Sequence, residues 1–330
     1  MNPEVFAEWF RLRGARVVRT ESSYWLGQSM RAFQAFPYHL TINPPEAELL
    51  TLLRAHNAIC LRYSTAFDAP VGYPSYHAIL EKQGYQIESL GKWARKNVRR
   101  GLRNCTVEPI SFQLLARDGW VLQQDTLHRQ RRHELRDHKR WERLCLAAAH
   151  LPGFEAWGAL VQGDLAASVI TFRMGNCCYM LYQQCKREYL TAHVNNALSF
   201  TVTQNLLRRP EVSSIFYGLH SLDAPPSVDE FKFRMGYTCK PVRQRVYLHP
   251  FCLPLFNPIT YAVARAAKAV RPRNRVFAKA EGMIRFYLGG RPALKPSRAA
   301  REFVLPSRPD DVHMALSRAQ APPLNKRGCE

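Results

Sequence analysis

The chain lacks the short signatures of several enzyme classes. It contains no Cys-x-x-Cys, no His-Glu-x-x-His and no Gly-x-Ser-x-Gly. Those absences remove zinc-thiolate, zinc-protease and nucleophile-elbow hydrolase chemistry. His128, His133 and His138 are five residues apart, about 140° of rotation per step on a helix, so they share no face for a metal. No uninterrupted apolar run of about 18 residues occurs, and no transmembrane helix is expected. The opening MNPEVFAEWFRLRG has no apolar core and does not read as a signal peptide. Acidic residues are few: 26 Asp and Glu stand against 47 Lys and Arg, a formal net charge of +21. Such an excess favours nucleic acid, anionic lipid or phosphorylated small molecules, and a merely solvated basic surface is the alternative. Nine cysteines are scattered without pattern. They read as free buried thiols of a cytoplasmic protein. Cys177 and Cys178, adjacent in a strand, point to opposite faces and make no joint metal site.

What is present is a globular α/β composition, 46% hydrophobic and 22% charged over 330 residues. ARVVRT and AICLRYS read as strands, PPEAELLTLLRAHN and SYHAILEKQG as helices, and YQIESL as a further strand. The basic segment KWARKNVRRGLRN, Lys92 to Asn104, recurs at helical spacing and is followed by a strand, TVEPIS. Phe112 to His150 reads as helical. FEAWGALVQ, LAASVITFRM and CCYMLYQQC then form a meander of three strands. Gly163-Asp164 and Gly175-Asn176 supply its two-residue turn signals. A helix from about Val194 to Arg208, the strand SSIFYGLHS, a short helix carrying Phe231-Lys232 and a last strand complete the pattern. From Pro250, two amphipathic helices rich in Arg and Lys lead into a Pro-, Ser- and Arg-rich tail beyond Gly290.

The meander followed by helix, strand, helix and strand resembles the GNAT acyltransferase fold. Two motifs narrow the resemblance to the Fem-type GNAT-like proteins related to the peptidoglycan aminoacyltransferases. KWARKNVRRGLRN is similar to the basic helix joining their two halves, and EFKFRMGY to their Phe-Lys motif. The resemblance covers about Leu40 to Leu248. It implies an α/β, GNAT-like fold of two tandem units with a helical basic extension. The expected divisions are 1–91, a connecting helix at 92–105, a catalytic unit at 106–249 and an extension at 250–330. It also implies transfer of an acyl or aminoacyl group to an amine, in a cleft where CCYMLYQQC and SSIFYGLHS splay apart. The donor would be acyl-CoA (acetyl-CoA) or aminoacyl-tRNA, the acceptor a small-molecule or peptide amine, and no metal is needed. One departure stands out. Acetyl-CoA enzymes of this fold carry a glycine-rich loop after the fourth strand, whose N–H groups cradle the pyrophosphate. Here no glycine occurs between Gly175 and Gly218.

Lys232 matches the motif lysine, assigned by the resemblance to phosphate binding or transition-state stabilisation. Otherwise it is a surface lysine on an amphipathic turn. Tyr182 and Tyr217 are candidate cleft hydroxyls or core strand aromatics. His220 and Asp223 are candidate bases at a strand end, and Asp223 alternatively caps a turn. Lys186, Arg187, Asn195 and Asn196 are candidates to hold an anion at a helix start. Arg99, Arg100 and Arg103 would track phosphates, or form a solvated face. Besides the acyltransferase, two readings stay open: an RNA-binding protein that has lost transfer chemistry, and a peripheral enzyme acting on a lipid-linked amine, held to an anionic membrane through 251–290.

Overall fold

The computed structural model describes residues 2–28, 31–81, 84–130, 137–220, 226–271 and 274–291. Among them eleven strands form one continuous sheet. The first half contributes β1 (Val17–Arg19), β2 (Tyr24–Gln28), β3 (Ala32–Phe36), β4 (Cys60–Thr65) and β5 (Tyr73–Leu80). The second contributes β6 (Thr106–Ile110), β7 (Phe154–Val161), β8 (Asp164–Met174), β9 (Cys177–Cys185), β10 (Ser214–Leu219) and β11 (Thr238–Leu248). Their order is β1-β2-β3-β4-β11-β5-β10-β9-β8-β7-β6. The halves thus exchange strands: β11 lies between β4 and β5, and β5 lies between β11 and β10. Only β3–β4 and β9–β10 run parallel, each paired over three positions.

Helices cover both faces. On one face lie α1 (Pro3–Leu12), α4 (Phe112–Arg129), α5 (His138–Ala149) and α9 (Arg275–Gly289). On the other lie α2 (Glu46–Ala55), α3 (Lys92–Asn104), α6 (Val194–Leu207) and α7 (Pro226–Arg234), while α8 (Pro258–Val270) packs on α9. Helix α1 starts where the Asn2 side chain accepts from Glu4 N–H and Pro3 fills the first turn. Its Phe6, Trp9 and Phe10, at i, i+3 and i+4, are buried. The Phe6 ring stacks on Phe172 at 4.9 Å and meets Phe36 edge-on, so this helix ties the two halves together.

Several expectations are corrected. Ser75–Leu80 of SYHAILEKQG belong to a strand, β5, and Lys82 and Gln83 lie outside the described residues. The strand is central and buried on nearly every residue, so it shows none of the alternation that marks a half-exposed strand. YQIESL is a single 3₁₀ turn at Ile87–Ser89. The first meander turn is centred on Gln162-Gly163, both at positive φ, because Val161 pairs with Asp164. Strands β2 and β3 went unread. The basic helix spans Lys92–Asn104 as expected, and the eight described cysteines are free thiols, five of them buried. The tail beyond residue 291 lies outside the described residues.

Gly101 sets how closely α3 meets α6. A Cβ at Gly101 would stand 2.4 Å from the His193 carbonyl oxygen and 2.9 Å from Ala197 Cβ. Gly101→Val must push the helices apart, and should lower stability by roughly 1–3 kcal/mol in urea unfolding. An unchanged midpoint would show that this contact is not tight.

Candidate functional site

The centre of the sheet opens where β9 and β10 part. Their pairing ends at Tyr179 and Phe216, and each strand then carries a bulge. Tyr182 and Gln183 lie where β9 has one residue more than β8, and Tyr182 is at φ 49. Tyr217 is the extra residue of β10 against β5, next to Gly218 at φ 155. Bulges break the ladder and re-aim side chains, which is how two strands can diverge without leaving the sheet. An apolar cavity of about 630 Å³ occupies this region. Strand residues Met180, Leu181, Tyr217 and Gly218 line it with His220, and α9 closes it with Lys279, Ala280, Met283 and Ile284.

Behind Gly218 sits the motif lysine. Lys232 is 7% exposed, and its Nζ donates to Asp229 Oδ1 at 2.6 Å. The other carboxylate oxygen accepts from the Tyr76 hydroxyl at 2.7 Å. The ammonium lies 5.3 Å from the centre of the Tyr217 ring, and a Cβ on Gly218 would be 3.8 Å from Nζ. The charge thus stands in van der Waals reach of the backbone that lines the cavity, and glycine is favoured there by its φ of 155. Tyr217 donates its hydroxyl to Gln183 Oε1, and Gln183 Nε2 donates to Asn195 Oδ1 at 2.8 Å, so the two bulges are bridged. His220, just past β10, stacks on Tyr76 at 4.7 Å, and its Nδ1 is 3.2 Å from Ser75 Oγ.

Two histidines, His77 buried and His39 half-buried, stand on the cavity side of the sheet. His77 Nε2 is 2.8 Å from Ser64 Oγ, which itself accepts from Gln244 Nε2 at 2.6 Å. The other ring nitrogen, Nδ1, has no hydrogen-bond partner. His39 Nδ1 pairs with the Tyr179 hydroxyl. Burial first, then neighbouring positive charge, lowers His77 to about 3 and His39 to about 4. Both rings are neutral at pH 7.

A second chamber of about 850 Å³ adjoins the first, and Gln28, Ala32, Phe33, Tyr38 and Leu181 line both. Its character is opposite. Arg13, Arg16, Arg31, Arg140 and Arg143 line it with Trp120 and Trp141, against one carboxylate, Asp137. The Arg13 guanidinium lies 4.3 Å from the Trp9 ring centre, its Nη2 donates to the Tyr182 hydroxyl at 2.9 Å, and its Nη1 has no partner. Sequence reading missed these arginines. They come from the turn between α1 and β1, the β3 entrance and α5, over 100 residues apart, so no local motif marks them.

Of the residues singled out from sequence, Tyr217 and His220 line the apolar cavity, Tyr182 lines the arginine chamber, and Lys232 stands behind Gly218. Asp223 lies outside the described residues. Lys186, Arg187, Asn195 and Asn196 line neither cavity. Lys186 pairs with Glu188 at 3.8 Å, the Arg187 N–H donates to Asp125, and Asn196 packs against Met235. The start of α6 is covered by α3, whose Asn104 Nδ2 donates to Ala192 O at 3.0 Å. Arg99, Arg100 and Arg103 are exposed on α3, on the opposite face of the sheet from both cavities.

No family model matches the chain, and no curated protein matches it. Solved structures do. FemX is similar over 76% of this chain and 93% of its own, with 12% identity and a TM-score of 0.52. L-PGS from Bacillus licheniformis is similar over 77% and 94%, with 11% identity and a TM-score of 0.50. A tandem GNAT protein from the clavulanic acid biosynthesis pathway matches over 71% and 82%, with 12% identity and a TM-score of 0.43. At such identities the likeness is one of fold. The bulged, diverging strands and the exchanged β5 and β11 agree with the likeness to FemX and L-PGS: the chain shares the fold of those two structures, GNAT-like as its motifs imply.

Proposed function

We propose that the protein transfers an acyl or aminoacyl group from an activated ester or thioester to an amine, where β9 and β10 part. The observation that carries this reading is the pair of adjoining chambers at that point, one apolar and one lined by five arginines. An activated acyl donor needs both environments: cationic groups for its phosphates and a water-poor place for the carbonyl. In the reaction the amine nitrogen bonds to the carbonyl carbon, the bond to the leaving oxygen or sulfur breaks, and the amine proton passes to that leaving group directly or through a base. His220, at the cavity wall, is positioned to be that base. Lys232 favours the negative charge developing on the carbonyl oxygen, acting across the bare backbone at Gly218.

The donor's phosphates are assigned to the arginine chamber, not to the start of α6. Helix α3 already covers that start, and the nearby Lys186 is engaged by Glu188. Thermal shift of the purified protein with acyl-CoAs, and separately with charged and uncharged tRNA, tests the reading. A ligand at a hundredfold excess over its Kd should add about 2.7 kcal/mol of stability. Arg13→Ala should abolish most of the shift. Stabilisation by acyl-CoA would name the donor class, and stabilisation by charged tRNA alone would place it with aminoacyl transfer. Equal stabilisation by charged and uncharged tRNA, with no acyl-CoA effect, would favour the binding-only reading. A shift untouched by Arg13→Ala would move the donor out of this chamber.

A further inference from the structure

Helix α8 carries an apolar stripe on its exposed side. Its Ile259, Ala262, Val263, Ala266 and Val270 fall within an arc of about 100° at 100° per residue. That arc is the exposed one: Ile259 is 75%, Val263 64% and Val270 80% exposed. On the side towards α9, Lys268 Nζ donates to Glu281 at 2.8 Å, beside Tyr261, Ala264 and Ala267. The preceding 3₁₀ turn, Pro250–Leu255, adds Phe251, 87% exposed, and Leu255. Of thirteen large apolar side chains exposed among the described residues, seven lie between 251 and 276. Scattered exposed apolar residues are ordinary, but a contiguous apolar face marks a contact surface.

We infer that the α8–α9 hairpin is a docking surface for an anionic phospholipid bilayer. Charge selects this occupant over a second copy of the chain. Arg265 borders the apolar arc, Arg271 ends the helix and the whole molecule carries +21. Two such surfaces facing each other would bring like charges together, whereas an apolar face edged by arginines suits the boundary between acyl chains and headgroups. No described helix is long and apolar enough to cross a membrane, so the contact is a surface one. The same hairpin supplies the α9 wall of the apolar cavity through Lys279, Ala280, Met283 and Ile284. Docking therefore brings the helix that closes that cavity to the lipid surface.

Flotation of the full chain with vesicles tests it, comparing phosphatidylcholine alone with phosphatidylcholine mixed with phosphatidylglycerol. The chain should float with the anionic vesicles, and Ile259→Glu/Val263→Glu should lower the bound fraction about tenfold or more. Val270→Glu, at a still more exposed position, should act in the same direction. Lys232→Met/Asp229→Leu, which removes the charge beside Gly218 without stranding its partner, should float as the unaltered chain does, which keeps this outcome separate from the fate of the transfer reaction. Absence of flotation, or flotation unchanged by both sets of substitutions, would overturn the inference. So would a dimer in solution, without flotation, that the glutamate substitutions dissociate.

Discussion

Lys232→Met is expected to lower stability by roughly 3–5 kcal/mol and to slow transfer by about 10²–10³-fold. The first effect comes from what is left behind. Asp229 has only 14% of its side chain exposed, and without the ammonium its charge is held by the Tyr76 hydroxyl alone. Breaking a buried pair strands a charge, while replacing both partners by apolar groups is often neutral. The double substitution Lys232→Met/Asp229→Leu should therefore recover most of the lost stability, less about 1 kcal/mol for the Tyr76 hydrogen bond. Transfer should stay low, because the charge beside Gly218 is still missing. Urea unfolding and kcat on the donor identified by thermal shift read the two effects separately. Recovery of both by the double variant would make Lys232 a structural residue only.

The second large effect is sensitivity to mild acid. His77 and His39 sit at about 3 and about 4 in the folded chain, against the usual 6.5. A group with a lowered folded pKa binds fewer protons folded than unfolded, so stability falls as pH drops. The stabilisation is complete above about 6.5 and is lost as pH falls through 6.5 towards 4. Each histidine contributes about 1.4 kcal/mol per pH unit across that window. The surroundings point the same way: Arg62 and Lys240 act on His77 together with His39, and Lys240 acts on His39. Carboxylates such as Glu4, lowered by hydrogen bonds from Arg11 and Tyr24, respond only at lower pH. Urea unfolding at a series of pH values between 7.5 and 4.5 should show the slope. His77→Gln, which keeps an amide within reach of Ser64, should reduce it by one proton. An unaltered slope would assign the acid sensitivity elsewhere.

How far the sequence discloses this architecture depends on how locally each feature is encoded. Helix α3 was legible to the residue because one basic face and one buried face recur along a single segment. Strands β7 to β9 were legible because glycine turns at 163 and 175 bracket them. The bulged tyrosines and Lys232 were reached through the motif EFKFRMGY and the strand it follows. Strand β5 was not legible, since a strand buried on both faces lacks alternation and Glu81 onward reads as helix. The arginine chamber was not legible either. Arg13 and Arg140 gain meaning only once α1 and α5 lie side by side, and no spacing in the chain announces that contact.

The exchange of β5 and β11 bears on how the molecule is made. Emerging from the ribosome, the first half finds the slot between β4 and β5 empty until Thr238–Leu248 has been synthesised. Two unsatisfied strand edges then stand exposed through most of translation, a period when nascent chains are prone to mispairing. A chain that stopped short of Thr238–Leu248 would leave those edges of β4 and β5 unpaired, so the first half depends on the last strand of the second.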